Sequence, residues 1–262
     1  MNIIVCVKQV PDTTEVRIDP ETGRMIREGV PSILNPDDAN ALEAALQIKD
    51  TIPGTHISVI TMGPPSAKIV LYECLGMGAD EAYLITDKAF GGSDTWATSN
   101  IIAGAIRYIG NYDIILTGRQ AIDGDTAQVG PQTAEKLGIP QITYVKGIRI
   151  EGEKVIAQRA EANGYRIVEA RMPVLLTAIG ELNQPRFMNV KLIAQAFKYK
   201  EIKYLDNEKL KLPQDQIGLL ASPTRVKKTF SPEMIAEKNL IQGAPKEAAA
   251  ELVRKLKENN II

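Results

Sequence analysis

The stretch GRQAIDGDTAQVGP, residues 118–131, gathers three glycines, Arg119, Asp123, Asp125 and Pro131 directly behind the apolar run YDIILT. Gly118 and Gly124 let a backbone approach an anion at little steric cost. The residues after Asp125 are helix-compatible through Leu137, with Gly138 and Pro140 as stop signals. Such a loop delivers a helix N-terminus to the end of a strand. That terminus carries about half a positive charge and several unpartnered N–H donors, so phosphate is its natural occupant. Arg119 can add a charge-assisted contact, and Asp125 or Thr126 can cap the helix through a side-chain oxygen. Two carboxylates beside a phosphate must face N–H groups, ribose hydroxyls or Arg119. The competing reading is a surface loop with an ordinary capped helix, and the position after a buried strand favours binding.

Other chemistries find little support. His56 is the only histidine, which removes most metal triads and Ser-His-Asp catalysis. Cys6 and Cys74 form no CxxC, so neither a disulfide framework nor a zinc knuckle is expected. With 31 basic against 32 acidic residues, the chain has no field for gripping nucleic acid. No GxxxxGK[ST] occurs, and LGMGADE (75–81) leads from a helix into a strand, which makes it a C-cap. FGGSDT (90–95) resembles the pyrophosphate loop of ATP pyrophosphatases but has phenylalanine in place of serine, and it reads as a loop and N-cap. No side chain is needed as general acid or base, so no catalytic residue and no metal site are expected. No segment approaches ~18 consecutive apolar residues, and the N-terminus enters a strand without a basic leader. The expectation is a cytoplasmic protein without membrane insertion.

The elements that must position the loop follow from periodicity. Four apolar runs, 3–7, 57–62, 82–86 and 113–117, read as strands buried on both faces. They alternate with helices predicted over 37–49, 66–77 and 95–109, the first behind an Asn35-Pro36 start. This alternation specifies a three-layer α/β fold with a mostly parallel, Rossmann-like sheet, whose loops after strands 1, 2 and 4 converge at the carboxyl ends. Residues 13–29, flanking PETG, read as a surface hairpin. From 140 to 179, GE and NG turn signals predict an antiparallel meander closing on the buried strand PVLLTAI. Beyond Gly180 regularity declines, with helices near 189–197 and 244–258 and a polar, Pro-punctuated stretch between them. The expected division is a nucleotide-binding domain over 1–180 and, over 181–262, a recognition loop with an extended arm that embraces a partner.

VKQVPDTT, NPDDANALEAAL, GRQAIDGDTAQVGP and ELNQPRFMN, in that order along nearly the whole chain, resemble the beta subunit of electron transfer flavoprotein. The resemblance implies an adenine-nucleotide α/β domain with a C-terminal arm around an alpha subunit that carries its own FAD. It places the nucleotide against Cys6, Lys8, Asn35, Pro36, Asp37, Asp38, Met62 and Gly63, and against Gly118, Arg119, Gln120, Ala121, Ile122, Asp123, Gly124, Asp125, Thr126, Ala127, Gln128 and Val129. The Asn35 amide is either an adenine reader or a simple cap, and Cys6 contributes only its backbone. Leu182, Asn183, Pro185 and Arg186 become the element that docks on a partner dehydrogenase, with Leu182 as apolar anchor or, alternatively, as one more core leucine.

Members of this family hold either AMP or a second FAD in the beta-subunit site. In the second, bifurcating type, NADH reduces that flavin; one electron goes to ferredoxin or flavodoxin and the other, through the alpha-subunit FAD, to an acyl-CoA dehydrogenase. DPETGRMIREGV and DGDTAQVGP resemble the bifurcating type, and the small Gly124, Thr126 and Ala127 leave room for a pyrophosphate that continues into a flavin chain. The alternative from another class is a universal-stress-type nucleotide sensor, against which the long tail after Gly180 argues.

Overall fold

The computed structural model describes residues 1–12, 17–18, 25–26, 31–225 and 240–262. The chain enters through β1 (Asn2–Cys6), β2 (Gln9–Pro11), β3 (Arg17–Ile18), β4 (Met25–Ile26) and β5 (Ser32–Leu34). Then come α1 (Pro36–Thr51), β6 (His56–Met62), α2 (Lys68–Met77), β7 (Glu81–Ile85), α3 (Thr95–Ile109), β8 (Ile114–Gly118) and α4 (Val129–Leu137). The meander follows as β9 (Gln141–Glu151), β10 (Lys154–Glu161), β11 (Gly164–Arg171) and β12 (Val174–Ala178). Last are α5 (Val190–Tyr199), β13 (Ile202–Leu205), α6 (Asn207–Leu210), α7 (Gly218–Ala221) and α8 (Pro245–Glu258).

One sheet of nine strands has the order β11-β10-β9-β12-β8-β1-β6-β7-β13. From β9 to β13 every neighbouring pair is parallel, while β10 and β11 extend antiparallel from β9. Successive residues of β1 point to opposite faces: Ile3 and Val5 join the core beneath α1 and α2, and Ile4 joins the core beneath α3 and α4. With both faces covered, the strands need no polar alternation, which is why they read as continuous apolar runs. The α/β expectation with antiparallel additions holds. The chain moves outward from β1 to β6 and β7, then returns to lay β8 on the other side of β1. Between β1 and β8 the order reverses, and a ligand crevice forms at such a point.

The helix boundaries follow local chemistry. Asp94 caps α3 by accepting the Ala97 N–H at 3.0 Å, as the GGSD signal predicts. Gly138, left-handed at φ 68°, ends α4. In the segment predicted as a hairpin, Arg17 pairs with Ile26 and Ile18 with Met25; its PETG turn lies outside the described residues. The stretch beyond Gly180 is more ordered than its sequence suggested. α5 packs on α2, where a Cβ on Gly76 would meet Ile193 at 2.7 Å, and β13 becomes the sheet edge beside β7 with Ile202 and Leu205 buried. The chain forms two units, Met1–Lys227 and Lys228–Ile262, so much of the presumed arm belongs to the first, and α8 lies in the second. No helix among the described residues is long and apolar enough to cross a membrane.

Candidate functional site

Strand register brings the carboxyl ends of β1, β6, β8 and β12 level: Cys6 lies opposite Ile60 and Thr117, and Ala178 opposite Gly118. The first turn of α1 closes over this edge. Asp38, 7% exposed, accepts the Lys8 N–H at 2.8 Å on one oxygen and the Gly118 N–H at 2.9 Å on the other. One carboxylate thus clamps the ends of β1 and β8 across the reversal. Burial pushes its carboxyl up to about 7, against the pull of the Asn35 amide and the two N–H donors, and the nearby Asp37 charge adds to the rise.

This clamp changes the reason for Gly118. A Cβ there would sit 2.3 Å from Asp38 Oδ1, so glycine is required for the approach of α1 and not of an anion. Gly124, by contrast, has nothing within 4 Å of its Cβ position and remains open. Asn35 is fully buried; its amide donates to the Gln120 carbonyl at 2.9 Å and accepts the Ile122 N–H at 3.1 Å. It makes no capping bond. The capping role does not apply; the amide pins the 118–129 loop onto α1.

The loop itself departs from expectation in one respect. α4 begins at Val129, and neither Asp125 nor Thr126 caps it. Asp125 and Ala127 adopt left-handed φ of 49° and 51°, which a right-handed helix excludes. The Asp125 carboxylate instead accepts from the Gln120 side chain at 2.8 Å. Left-handed Ala127 followed by right-handed Gln128 turns successive N–H groups to one side, the backbone concavity that receives anions. No side chain caps α4, and the first-turn N–H groups of Val129 and Gly130 have no intrahelical partner. A Cβ on Gly130 would lie 2.8 Å from Thr117 Oγ1, so this glycine lets α4 press against the strand ends. These residues fit a phosphate through backbone donors, by a conformation that the glycines only partly advertise.

Both nearby cations already have counterions. Lys8 Nζ lies 2.7 Å from both Asp123 oxygens, with side chains 47% and 33% exposed. An ion pair this exposed contributes less than about 1 kcal/mol, so an anion can take Lys8 at little cost. Arg119 is turned toward Asp37, with Nε 3.5 Å from Oδ2, and toward the ring of Tyr144. Burial pushes the Asp37 carboxyl up, the Arg119 charge and the Gln120 N–H lower it, and Glu181 raises it again. Burial raises the Cys6 thiol far above its ordinary range, which leaves it inert. Met62 and Gly63 sit half-buried at the end of β6, the Gly63 N–H donating to the Ile85 carbonyl at 3.1 Å. The nucleotide-contact residues inferred from sequence therefore gather at one end of the sheet. Tyr144 was not among them.

The other inferred element, after β12, lies along α1. Leu182 is half-buried against the main core. The Asn183 and Asn40 amides each donate to the other residue's main-chain carbonyl, at 3.0 and 2.8 Å. The Arg186 side chain forks onto Glu43 at 2.8 and 3.0 Å and reaches Asp50 at 2.7 Å. These three residues hold the loop in place, while Pro185 is exposed. The apolar side chains it shows to solvent are Phe187, Met188 and Val190, 98%, 46% and 81% exposed.

A profile of the electron transfer flavoprotein domain matches residues 22–210. Over the full length of both chains, this one is 56% identical to the caffeyl-CoA reductase-Etf complex subunit CarD of Acetobacterium woodii. It is equally similar, 56% over both full lengths, to the electron transfer flavoprotein subunit beta of Clostridium acetobutylicum. The chain belongs to the electron transfer flavoprotein beta-subunit family. A further relative is the acryloyl-CoA reductase electron transfer subunit gamma of Anaerotignum propionicum, 46% identical over all of both chains. Membership removes the stress-type sensor from contention and agrees with a crevice built for a flavin or nucleotide.

Proposed function

We propose that the chain is the nucleotide-binding subunit of a heterodimer that, with an alpha subunit, oxidises NADH and bifurcates the electrons. FAD held in the crevice would accept a hydride and release its electrons singly, one toward ferredoxin or flavodoxin and one through the alpha-subunit FAD to an acyl-CoA dehydrogenase. The observation that carries the reading is the Ala127–Gln128 concavity at the uncapped start of α4, beside the open Gly124. Backbone donors there would hold the diphosphate, Asp38 would keep the strand ends in register, and Lys8 would add charge after leaving Asp123. The free space around Gly124 leaves a path for a ligand longer than AMP. Further support comes from relatives whose names place them with caffeyl-CoA and acryloyl-CoA reductases.

Docking on the dehydrogenase is assigned to the loop after β12. Leu182, half-buried against the core, leaves part of its side chain for the anchor's role, and Phe187, Met188 and Val190 add exposed apolar surface beside it. The same backbone donors serve the single phosphate of AMP, so occupancy is settled by chemistry. Nucleotides released from the purified heterodimer are quantified: two FAD per complex supports bifurcation, and one FAD with one AMP refutes it. A crevice that yields no adenine nucleotide refutes both.

A further inference from the structure

Tyr144 occupies a place that the backbone reaches only under constraint. Leu176 of β12 pairs with Ile142 of β9, but Ala178 pairs with Val145, so Thr143 and Tyr144 together oppose Thr177. At this bulge Tyr144 has φ 56°, a left-handed conformation that a bulky side chain keeps only when its surroundings impose it. One imposing contact is visible: the Tyr144 N–H donates to Thr177 Oγ1 at 3.0 Å. The detour sets the half-exposed ring beneath Arg119, whose guanidinium carbon is 6.0 Å from the ring centroid.

Arg119 is thereby held on three sides. Its N–H donates to the Ala178 carbonyl at 2.8 Å, the Tyr144 ring faces its guanidinium, and Asp37 lies 3.5 Å from Nε. Arg119 Nε and Asp37 Oδ2 are both out of solvent, yet neither makes a hydrogen bond. The two atoms face each other across the 3.5 Å ion pair, too loosely aligned for a hydrogen bond, so Asp37 holds the guanidinium by charge alone. Lys8, which follows β1, reaches the 118–129 loop at Asp123, and Arg119 opens that loop beside the end of β12.

We propose that Tyr144 is a positioning residue of the nucleotide crevice: it holds the Arg119 guanidinium in place to meet the anionic part of the bound ligand. The inference rests on the crevice being a nucleotide site. The test uses the full-length heterodimer, stripped of nucleotide and titrated calorimetrically with ADP at several salt concentrations. Tyr144→Phe keeps the ring and should bind within about twofold of the unaltered protein, whereas Tyr144→Ala should weaken binding about tenfold and flatten the salt dependence. Arg119→Gln should do the same, and the double variant should be no weaker than Arg119→Gln alone. Tyr144→Gly, which accepts the left-handed φ, should melt above Tyr144→Ala without recovering ADP affinity. Full ADP affinity in Tyr144→Ala, additivity with Arg119→Gln, or equal melting of the glycine and alanine variants would overturn the proposal. If the unaltered complex fails to bind ADP, the nucleotide reading of the crevice falls with it.

Discussion

Asp38→Asn tests the clamp on which the crevice depends. The substitution preserves shape but leaves one acceptor oxygen where two backbone donors, the N–H groups of Lys8 and Gly118, converge. One buried donor then faces an NH2 group, a pH-independent loss of about 1–3 kcal/mol. A second effect depends on pH. The Asp38 carboxyl is raised from its ordinary value of 3.8 to about 7, so between these values the folded protein binds more protons than the unfolded chain. Stability on this account is greatest below the unfolded pKa and declines as pH rises through about 7. Between pH 5 and pH 8 the decline is on the order of a few kcal/mol, and it lies mostly below about pH 7. The asparagine variant lacks this decline. Denaturant unfolding of the full chain, followed by its single tryptophan, Trp96 on α3, measures both proteins across that range. The expected outcome is a stability gap that favours the unaltered protein most at pH 5 and narrows toward pH 8. Parallel curves would show that Asp38 does not titrate as its burial requires, and the clamp would have to be reinterpreted.

Gly118→Ala should unfold or severely destabilise the chain, because the new Cβ meets Asp38 Oδ1 at 2.3 Å, while Gly124→Ala, with nothing within 4 Å, should melt like the unaltered protein; thermal denaturation separates them. Leu182→Ala should lower stability by about 1–3 kcal/mol through lost packing, whereas Phe187→Ala, at a 98% exposed side chain, should leave melting unchanged and raise KM for the partner dehydrogenase in steady-state electron transfer. Arg186→Ala removes the side-chain fork onto Glu43, only 5% exposed, while the Arg186 N–H and the Gln47 amide still donate to it, and should cost about 1–3 kcal/mol, seen as faster amide exchange in the loop after β12 and the facing part of α1.

How much of this was legible depended on whether a feature leaves a mark in side-chain type. The parallel strands did, since Ile3, Val5 and Ile4 must all be apolar when both sheet faces are covered. Asp94 and Gly138 did, because a cap and a left-handed stop select their residues. The start of α4 did not. Its delay is set by left-handed φ at Asp125 and Ala127, neither a glycine, and nothing in an alanine announces that conformation. The seat of the loop around Leu182 left no local mark either, because the residues that fix its neighbours Asn183 and Arg186, Asn40 and Glu43, lie on α1, over a hundred residues earlier in the chain. The bulge at Tyr144 did leave a trace. In QITYVKG, Ile142 and Val145 are both buried though three residues apart, which breaks the period of two and implies an extra residue between them.

The first turn of α1 explains why these scattered residues act together. Asn35 grips the loop after β8, Asp37 faces Arg119, and Asp38 clamps β1 to β8, so three neighbouring side chains organise both flanks of the reversal. A helix N-terminus would ordinarily spend acidic residues on its own dipole. Here the Asp38 carboxylate is drawn to the N–H groups of two strand ends, and burial opposes its ionisation. That opposition would waste stability in a structural helix start. It is intelligible where the helix start must hold two loops at fixed spacing around a ligand, because a bound nucleotide stabilises the folded state by mass action and can offset the strain. Under the proposed function, fold stability and nucleotide affinity would draw on the same three residues, and substitutions at this turn should alter both in parallel.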